Sequence, residues 1–76
     1  MSAAVDALMR AAFERPRDPR SPEYKAGVRA GIERVLSGAS IVAAARRYGQ
    51  GTAALDAFFA GVEEGRDLAR GVNSTH

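Results

Sequence analysis

Apolar residues recur at helical spacing through most of the chain, and no stretch alternates in the manner of a β-strand. The pattern predicts an all-α protein: a small helical hairpin or bundle of three to four helices, in a single domain. Prolines, glycines and capping residues set the segment boundaries. These predict an N-terminal helix over 1–14, a Pro/Arg linker over 15–21, helices over 22–37 and 53–71, a short helix over 40–48 and a disordered tail over 72–76.

Capping residues mark where three of these helices begin. Ser21, followed by Pro22, has the order of a helix N-terminus, because a hydroxyl cap precedes a proline in the first turn. Ser40 and Thr52 occupy the cap positions before the short helix and the last helix. The alternative for the short helix is that residues 38–51 form an irregular loop.

The two longer helices share one pattern: an aromatic residue, two residues, glycine, three residues and glycine. It reads Tyr24, Gly27 and Gly31 in the first helix and, 34 residues later, Phe58, Gly61 and Gly65 in the second. These positions lie on one face of a helix. A glycine in a helix interior costs roughly 1 kcal/mol relative to alanine, and close approach of two backbones would explain all four. We therefore predict that the two helices cross closely.

An antiparallel pair is the simplest arrangement in which the two glycine stripes can meet. The alternative is that the glycines form a surface approached by a partner's backbone or by a nucleic acid. The N-terminal helix has a modest apolar stripe and is expected to pack either on the later helices of its own chain or on a second subunit. Since a 76-residue chain without cysteine can bury only a limited core, we expect a homodimer.

Charge is distributed unevenly along the chain. Residues 1–47 carry nine basic and five acidic side chains, whereas residues 48–76 carry two and four. A modest basic surface on the first part suits phosphate or an acidic protein, and a solvated surface of mixed sign is the alternative. The predicted partner contacts lie beside the glycine stripes and at the turn before the last helix: Lys25, Arg29, Arg34, Arg46, Arg47 and Tyr48.

Catalytic chemistry has little support in the sequence. His76, the only histidine, is the last residue, and there is no cysteine. The carboxylates of Glu63, Glu64 and Asp67 fall on the polar face of an amphipathic helix, where solvation is the better interpretation than acid–base catalysis or metal binding. We predict a protein that is not an enzyme and has no cofactor or metal. No apolar run approaches the roughly 20 residues that span a membrane, so we expect a cytoplasmic protein without a membrane partner.

Part of the sequence resembles a known family. The run Tyr24-Lys25-Ala26-Gly27, with Gly31, Tyr48, Phe58, Gly61 and Glu64 after it, is similar to ribosome modulation factor, which has a Tyr-x-Ala-Gly helix, a Cys-Pro-Tyr turn and a Trp-x-x-Gly helix. The chain also resembles short uncharacterised phage and prophage proteins with Pro-Glu-Tyr-x-Ala-Gly and Gly-Thr-Ala…Phe-Ala-Gly-x-x-Glu-Gly runs. The likeness covers roughly residues 20–70.

The chain departs from the ribosome modulation factor pattern in four ways. Arg46-Arg47 stands where Cys-Pro would precede Tyr48, and Phe58 replaces the tryptophan. The spacing from Tyr48 to this second aromatic is one residue longer, and the last helix is acidic whereas that family is strongly basic. The resemblance implies a small non-catalytic binding module of phage or prophage type, which binds a host protein or ribonucleoprotein and modulates or inhibits it. Binding of RNA or the ribosome, as in ribosome modulation factor, is the alternative.

A further alternative is a DNA-binding regulator. The run from Ser40 to Gly49, followed by Thr52, is similar to the first helix and turn of a helix-turn-helix, with residues 53–60 as the recognition helix. That segment offers no Arg, Lys, Asn or Gln to read bases, and Asp56 would repel phosphate. DNA is therefore the weakest of the predicted partners.

Overall fold

The computed structural model describes residues 3–14 and 20–73 of the chain. They form four helices and no strand: α1 (Ala3–Glu14), α2 (Pro22–Ser37), α3 (Ile41–Ala45) and α4 (Ala53–Asn73). The predicted all-α bundle is confirmed, and so is the close crossing of the two glycine-containing helices. The linker residues 15–19 and the tail residues 74–76, on which predictions were made, lie outside the described residues.

Helix boundaries follow the capping residues closely. Ser21 Oγ, Ser40 Oγ and Thr52 Oγ1 each accept a hydrogen bond from the amide three residues on, at 3.1, 3.1 and 3.2 Å. Gly38 ends α2 in the left-handed conformation, at φ 75°, which glycine adopts without steric cost. The predicted helix starts at Pro22, Ile41 and Ala53 are therefore confirmed together with their caps.

Two helix ends differ from the prediction. α3 stops at Ala45 because the amides of Arg46 and Tyr48 donate to the carbonyls three residues back, which tightens the chain into a turn. α4 continues past the predicted end at residue 71 to Asn73. Gly71 does not take the left-handed conformation that would stop the helix.

The main packing contact joins α2 and α4, and glycines lie where the two backbones meet. An ideal Cβ placed on Gly27, Gly31, Gly61 or Gly65 would fall less than 3.0 Å from a backbone carbonyl oxygen of the opposing helix. All four glycines are buried. Any side chain at these positions would force the helices apart, so the crossing requires glycine.

The order of the contacts shows that α2 and α4 run parallel, so the predicted antiparallel arrangement is wrong. Gly27 lies against the Phe58 carbonyl, and Gly31, one turn later, lies against the Val62 carbonyl, also one turn later. The contacts of the two α4 glycines advance along α2 in the same direction. Glycine stripes can meet in either direction, so the stripe alone did not determine which one is used.

The 34-residue repeat is the register of this crossing. Gly27 lies against residues 58–62, a segment that contains its counterpart Gly61, and Gly61 lies against residues 24–28, which contain Gly27. Each copy of the pattern therefore packs against the other about an approximate twofold axis that runs along the helix pair. Residues 38–52, which include α3, carry the chain back from the end of α2 to the start of α4.

α1 packs antiparallel on α2 of its own chain. Near its start, Asp6 forms an ion pair with Arg29 at 3.0 Å. Near its end, the Phe13 ring lies under the Lys25 ammonium, with Nζ 5.5 Å from the ring centroid. Val5, next to Asp6, is buried in a cluster with α2 and α4 that also includes Val28, Ile32 and Ala69. Of the two predicted positions for the N-terminal helix, the chain adopts the one within its own fold.

The two copies of the repeat differ in polarity at their aromatic residues. The Tyr24 hydroxyl donates a hydrogen bond of 2.5 Å to Glu64 Oε1 across the crossing. The counterparts of these residues, 34 positions away in the chain, are Phe58 and Ala30, which share one buried cluster. A polar pair on one side of the axis thus corresponds to an apolar pair on the other.

Removing the Tyr24 hydroxyl tests this pairing. We expect Tyr24→Phe to lower the free energy of unfolding by about 1–2 kcal/mol, since it takes a donor from a half-buried carboxylate. The double variant Tyr24→Phe/Glu64→Ala recreates the apolar pair and should lose less than the sum of the two single variants. Urea unfolding of the four proteins measures the coupling, and strictly additive losses would show that the two side chains do not interact.

Candidate interaction groove

An apolar groove lies between α3, the turn after it and the first turns of α4. Its volume is about 560 Å³. We call it the α3–α4 groove, and its walls are formed by Val42, Ala45, Arg46, Tyr48, Gln50, Leu55 and Phe59. Four of these side chains are aliphatic or aromatic hydrocarbons, so the groove suits an apolar occupant.

Val42 and Phe59 are the large apolar side chains that the described residues expose most. Val42 is 66% exposed and Phe59 is 45% exposed. Exposed apolar residues are common singly, but two of them lining one concavity mark a surface suited to binding. The groove is therefore the candidate functional site.

Helix geometry explains why Phe59 is exposed while its neighbour is not. Successive residues on a helix point about 100° apart, so adjacent phenylalanines cannot both face α2. Phe58 takes the buried direction, at 1% exposure. Likewise Ile41 packs inward from α3, and Val42, the next residue, points outward.

Aromatic contacts hold the groove wall in place. The Tyr48 ring packs on Phe58 at 5.2 Å between centroids, and Phe58 meets Phe59 edge to face at 5.5 Å. Both distances are within the range of favourable aromatic pairs. Because Phe58 is locked in the core, its two neighbours have a rigid support, and Phe59 is presented in a defined orientation.

Arg46 is the charged side chain of the groove. It is exposed and lies on the same face of the chain as Val42, four residues before it. Tyr48 and Gln50 add neutral hydrogen-bonding groups to the same lining. The groove lining thus combines four apolar side chains with one cation and two neutral polar groups.

Only some of the predicted contact residues come together in the structure. Arg46 and Tyr48 line the α3–α4 groove. Arg47, whose guanidinium lies 5.9 Å from the Tyr48 ring centroid, instead lines a smaller cleft of about 190 Å³ between α2 and α3. Arg29 lines that cleft as well.

The remaining predicted basic contacts are engaged within the chain. Arg29 pairs with Asp6 and, at 4.0 Å, with Glu33. Arg34 Nη1 donates to the Gly38 carbonyl at the end of α2, at 3.2 Å. With Lys25 over the Phe13 ring, the three basic residues of α2 do not join Arg46 in one patch. Their role in partner binding stays a prediction.

Sequence reasoning missed Val42, Leu55 and Phe59 as possible contact residues. A signal was present for two of them. Ile41-Val42 and Phe58-Phe59 are adjacent apolar pairs in helices, and only one member of such a pair can lie on the buried stripe. Leu55 gave no such signal, because its position beside the groove depends on how α3 packs.

In residues 3–14 and 20–73, no group of three or more His, Cys, Asp or Glu side chains is placed to hold a metal ion. None of the helices there combines the length and the apolarity of a membrane-spanning segment.

Comparisons with protein-family models, curated proteins and solved structures found no match to this chain.

Proposed function

We propose that the chain is a non-catalytic helical module that binds another protein through the α3–α4 groove and thereby modulates it. The exposure of Val42 and Phe59 around an apolar concavity of about 560 Å³ is the observation that supports the proposal. Burying exposed apolar surface contributes roughly 25 cal/mol per Å². A partner that covers these two side chains would gain that contribution without any rearrangement of the core.

The nature of the partner is part of the proposal. The resemblance to short phage and prophage proteins and to ribosome modulation factor supports a host protein or a host ribonucleoprotein in the cytoplasm as the target. The predicted homodimer belongs to the same proposal, with the groove left free for the target. Sedimentation velocity over a range of protein concentrations measures the dimer.

Affinity capture with matched variants tests the groove. We expect the tagged protein to capture a partner from host lysate, and Val42→Ser/Phe59→Ser to lose that capture while its unfolding transition remains close to that of the parent. Ala60→Ser is the control, because Ala60 is exposed next to Phe59 but does not line the groove. Equal capture by the double variant and the control would contradict the proposal.

Charge-reversal variants distinguish partner binding at the groove from partner binding to a general basic surface. Arg46→Glu changes the groove edge, whereas Arg34→Glu makes the same change at the far end of α2. Protein binding at the groove predicts that only Arg46→Glu weakens capture. If both variants weaken it equally, and if capture also falls steeply with salt and is lost after nuclease treatment, RNA binding is favoured instead.

A further inference from the structure

The approximate twofold axis relates a covered face of α2 to an uncovered face of α4. α1 lies on the α2 face formed by Lys25, Arg29 and Ile32. Their counterparts 34 residues later are Phe59, Glu63 and Arg66, which share one face of α4 at helical spacing. No helix among residues 3–14 and 20–73 occupies this second face in the way that α1 occupies the first.

The uncovered α4 face exposes one large apolar side chain and one acidic side chain that a docked helix would contact. Phe59 is 45% exposed, and the Glu63 side chain is 71% exposed. Glu63 pairs with Arg66 at 3.6 Å, a surface contact of small energetic weight.

We propose that the groove takes an amphipathic helix from a partner protein, docked antiparallel to α4 as α1 is docked on α2. This inference rests on the proposed function and specifies the occupant. α1 places Asp6 against Arg29 and, seven residues later, Phe13 against Lys25. The occupant of the α4 face places a basic residue against Glu63 and, seven residues later, an apolar residue against Phe59 and Val42.

The charge of Arg46 and the partial charge at the end of the docked helix also favour the antiparallel orientation. The occupant's C-terminal end reaches the part of the groove where Arg46 lies, and the free carbonyls of a helix C-terminus carry partial negative charge. The opposite orientation would bring the partially positive helix N-terminus to Arg46. Antiparallel docking is therefore the electrostatically favoured direction.

A second copy of this chain does not fit the site. If α1 of another copy docked here, Asp6 would face Glu63. If two α4 helices packed antiparallel across Phe59, Asp56 of one copy would lie near Glu63 of the other, because the two acidic residues flank Phe59 at similar distances in sequence. Both arrangements bring like charges together, so the complementary occupant is a helix from a different protein that carries a basic residue opposite Glu63.

A peptide taken from α1 provides the probe. The peptide of residues 3–14 with Asp6→Lys has a basic residue seven positions before Phe13, as the proposed occupant requires. The unsubstituted peptide differs from it at that residue alone. In NMR titrations of the full chain, we expect saturable shifts at Val42, Leu55, Phe59 and Glu63. The substituted peptide is expected to bind about fivefold more tightly than the unsubstituted one.

Charge exchange on the protein side completes the test. On the Glu63→Lys chain the preference should reverse in favour of the unsubstituted peptide, whereas on the Asp67→Lys control it should not. The inference is overturned if the two peptides bind with equal affinity, or if the shifts appear at Lys25 and Arg29 instead. It is also overturned if binding does not saturate at millimolar peptide, or if concentrating the protein alone produces the same shifts. If the groove variants abolish capture but the peptide fails, the proposed function survives and the occupant's chemistry is wrong.

Discussion

Gly61→Ala is expected to lower the free energy of unfolding by about 3 kcal/mol, the upper part of the range for overpacked positions. The new methyl group would lie 2.9 Å from the Val28 amide nitrogen and closer still to the Tyr24 carbonyl oxygen. Both are backbone atoms, which cannot turn aside as a flexible side chain can. The helices would have to separate, and the buried contacts along the whole crossing would loosen with them.

Gly71→Ala is the matched control for this substitution. Gly71 lies in the same helix, but a Cβ there would meet nothing within 4 Å. Since alanine is favoured over glycine in helices by roughly 1 kcal/mol, the control should be neutral or slightly stabilising. Urea unfolding followed by circular dichroism measures both variants. If Gly61→Ala is as stable as Gly71→Ala, the close backbone contact does not exist.

The second large effect is expected at Phe58. Phe58→Ala should cost about 3–5 kcal/mol, as large-to-small substitutions of buried aromatics do. The side chain is 1% exposed and joins Ala30 and Val62 in one cluster, against which Ile41, Ala44 and Ala45 of α3 pack. Without the ring, Tyr48 loses its stacking partner, so α3 and the groove wall would lose their support as well.

Phe59→Ala is the control for Phe58→Ala, because it removes the same atoms from the next residue in the sequence. Phe59 is largely outside the core, and we expect its loss to change the free energy of unfolding by less than about 1 kcal/mol. Chemical unfolding of the two variants gives the comparison. Similar losses for both would mean that α4 is rotated relative to the orientation described here. Phe59→Ala should nevertheless weaken partner capture, which separates binding from folding.

Local chemistry predicted most of the helix boundaries. Hydroxyl caps such as Ser21 and Thr52 act through bonds to amides three residues away, so short sequence windows contain the whole signal. The close crossing was also predictable, since four glycines at matched spacing in helix interiors need a compensating contact. The parallel direction was not, because it depends on the route of residues 38–52 and not on either stripe.

The groove could be predicted only in part, because it also depends on how distant segments pack together. Arg46 and Tyr48 were singled out by their position at the turn before α4. Their apolar neighbours Val42 and Phe59 become a site only when α3 packs beside α4. Long-range packing of this kind leaves no mark in local periodicity, although the adjacent apolar pairs did show that one member of each pair must lie off the buried stripe.

The parallel register of the repeat is the claim on which the groove, its twofold counterpart and the proposed occupant all depend. Nuclear Overhauser effects from the glycine α-protons of the isotope-labelled protein test it most directly. With α2 and α4 parallel, we expect cross-peaks from Gly61 to Tyr24 and from Gly65 to Ile32. Cross-peaks from Gly61 to Ile32 and from Gly65 to Tyr24 would show instead that the two helices run antiparallel and would contradict the parallel register.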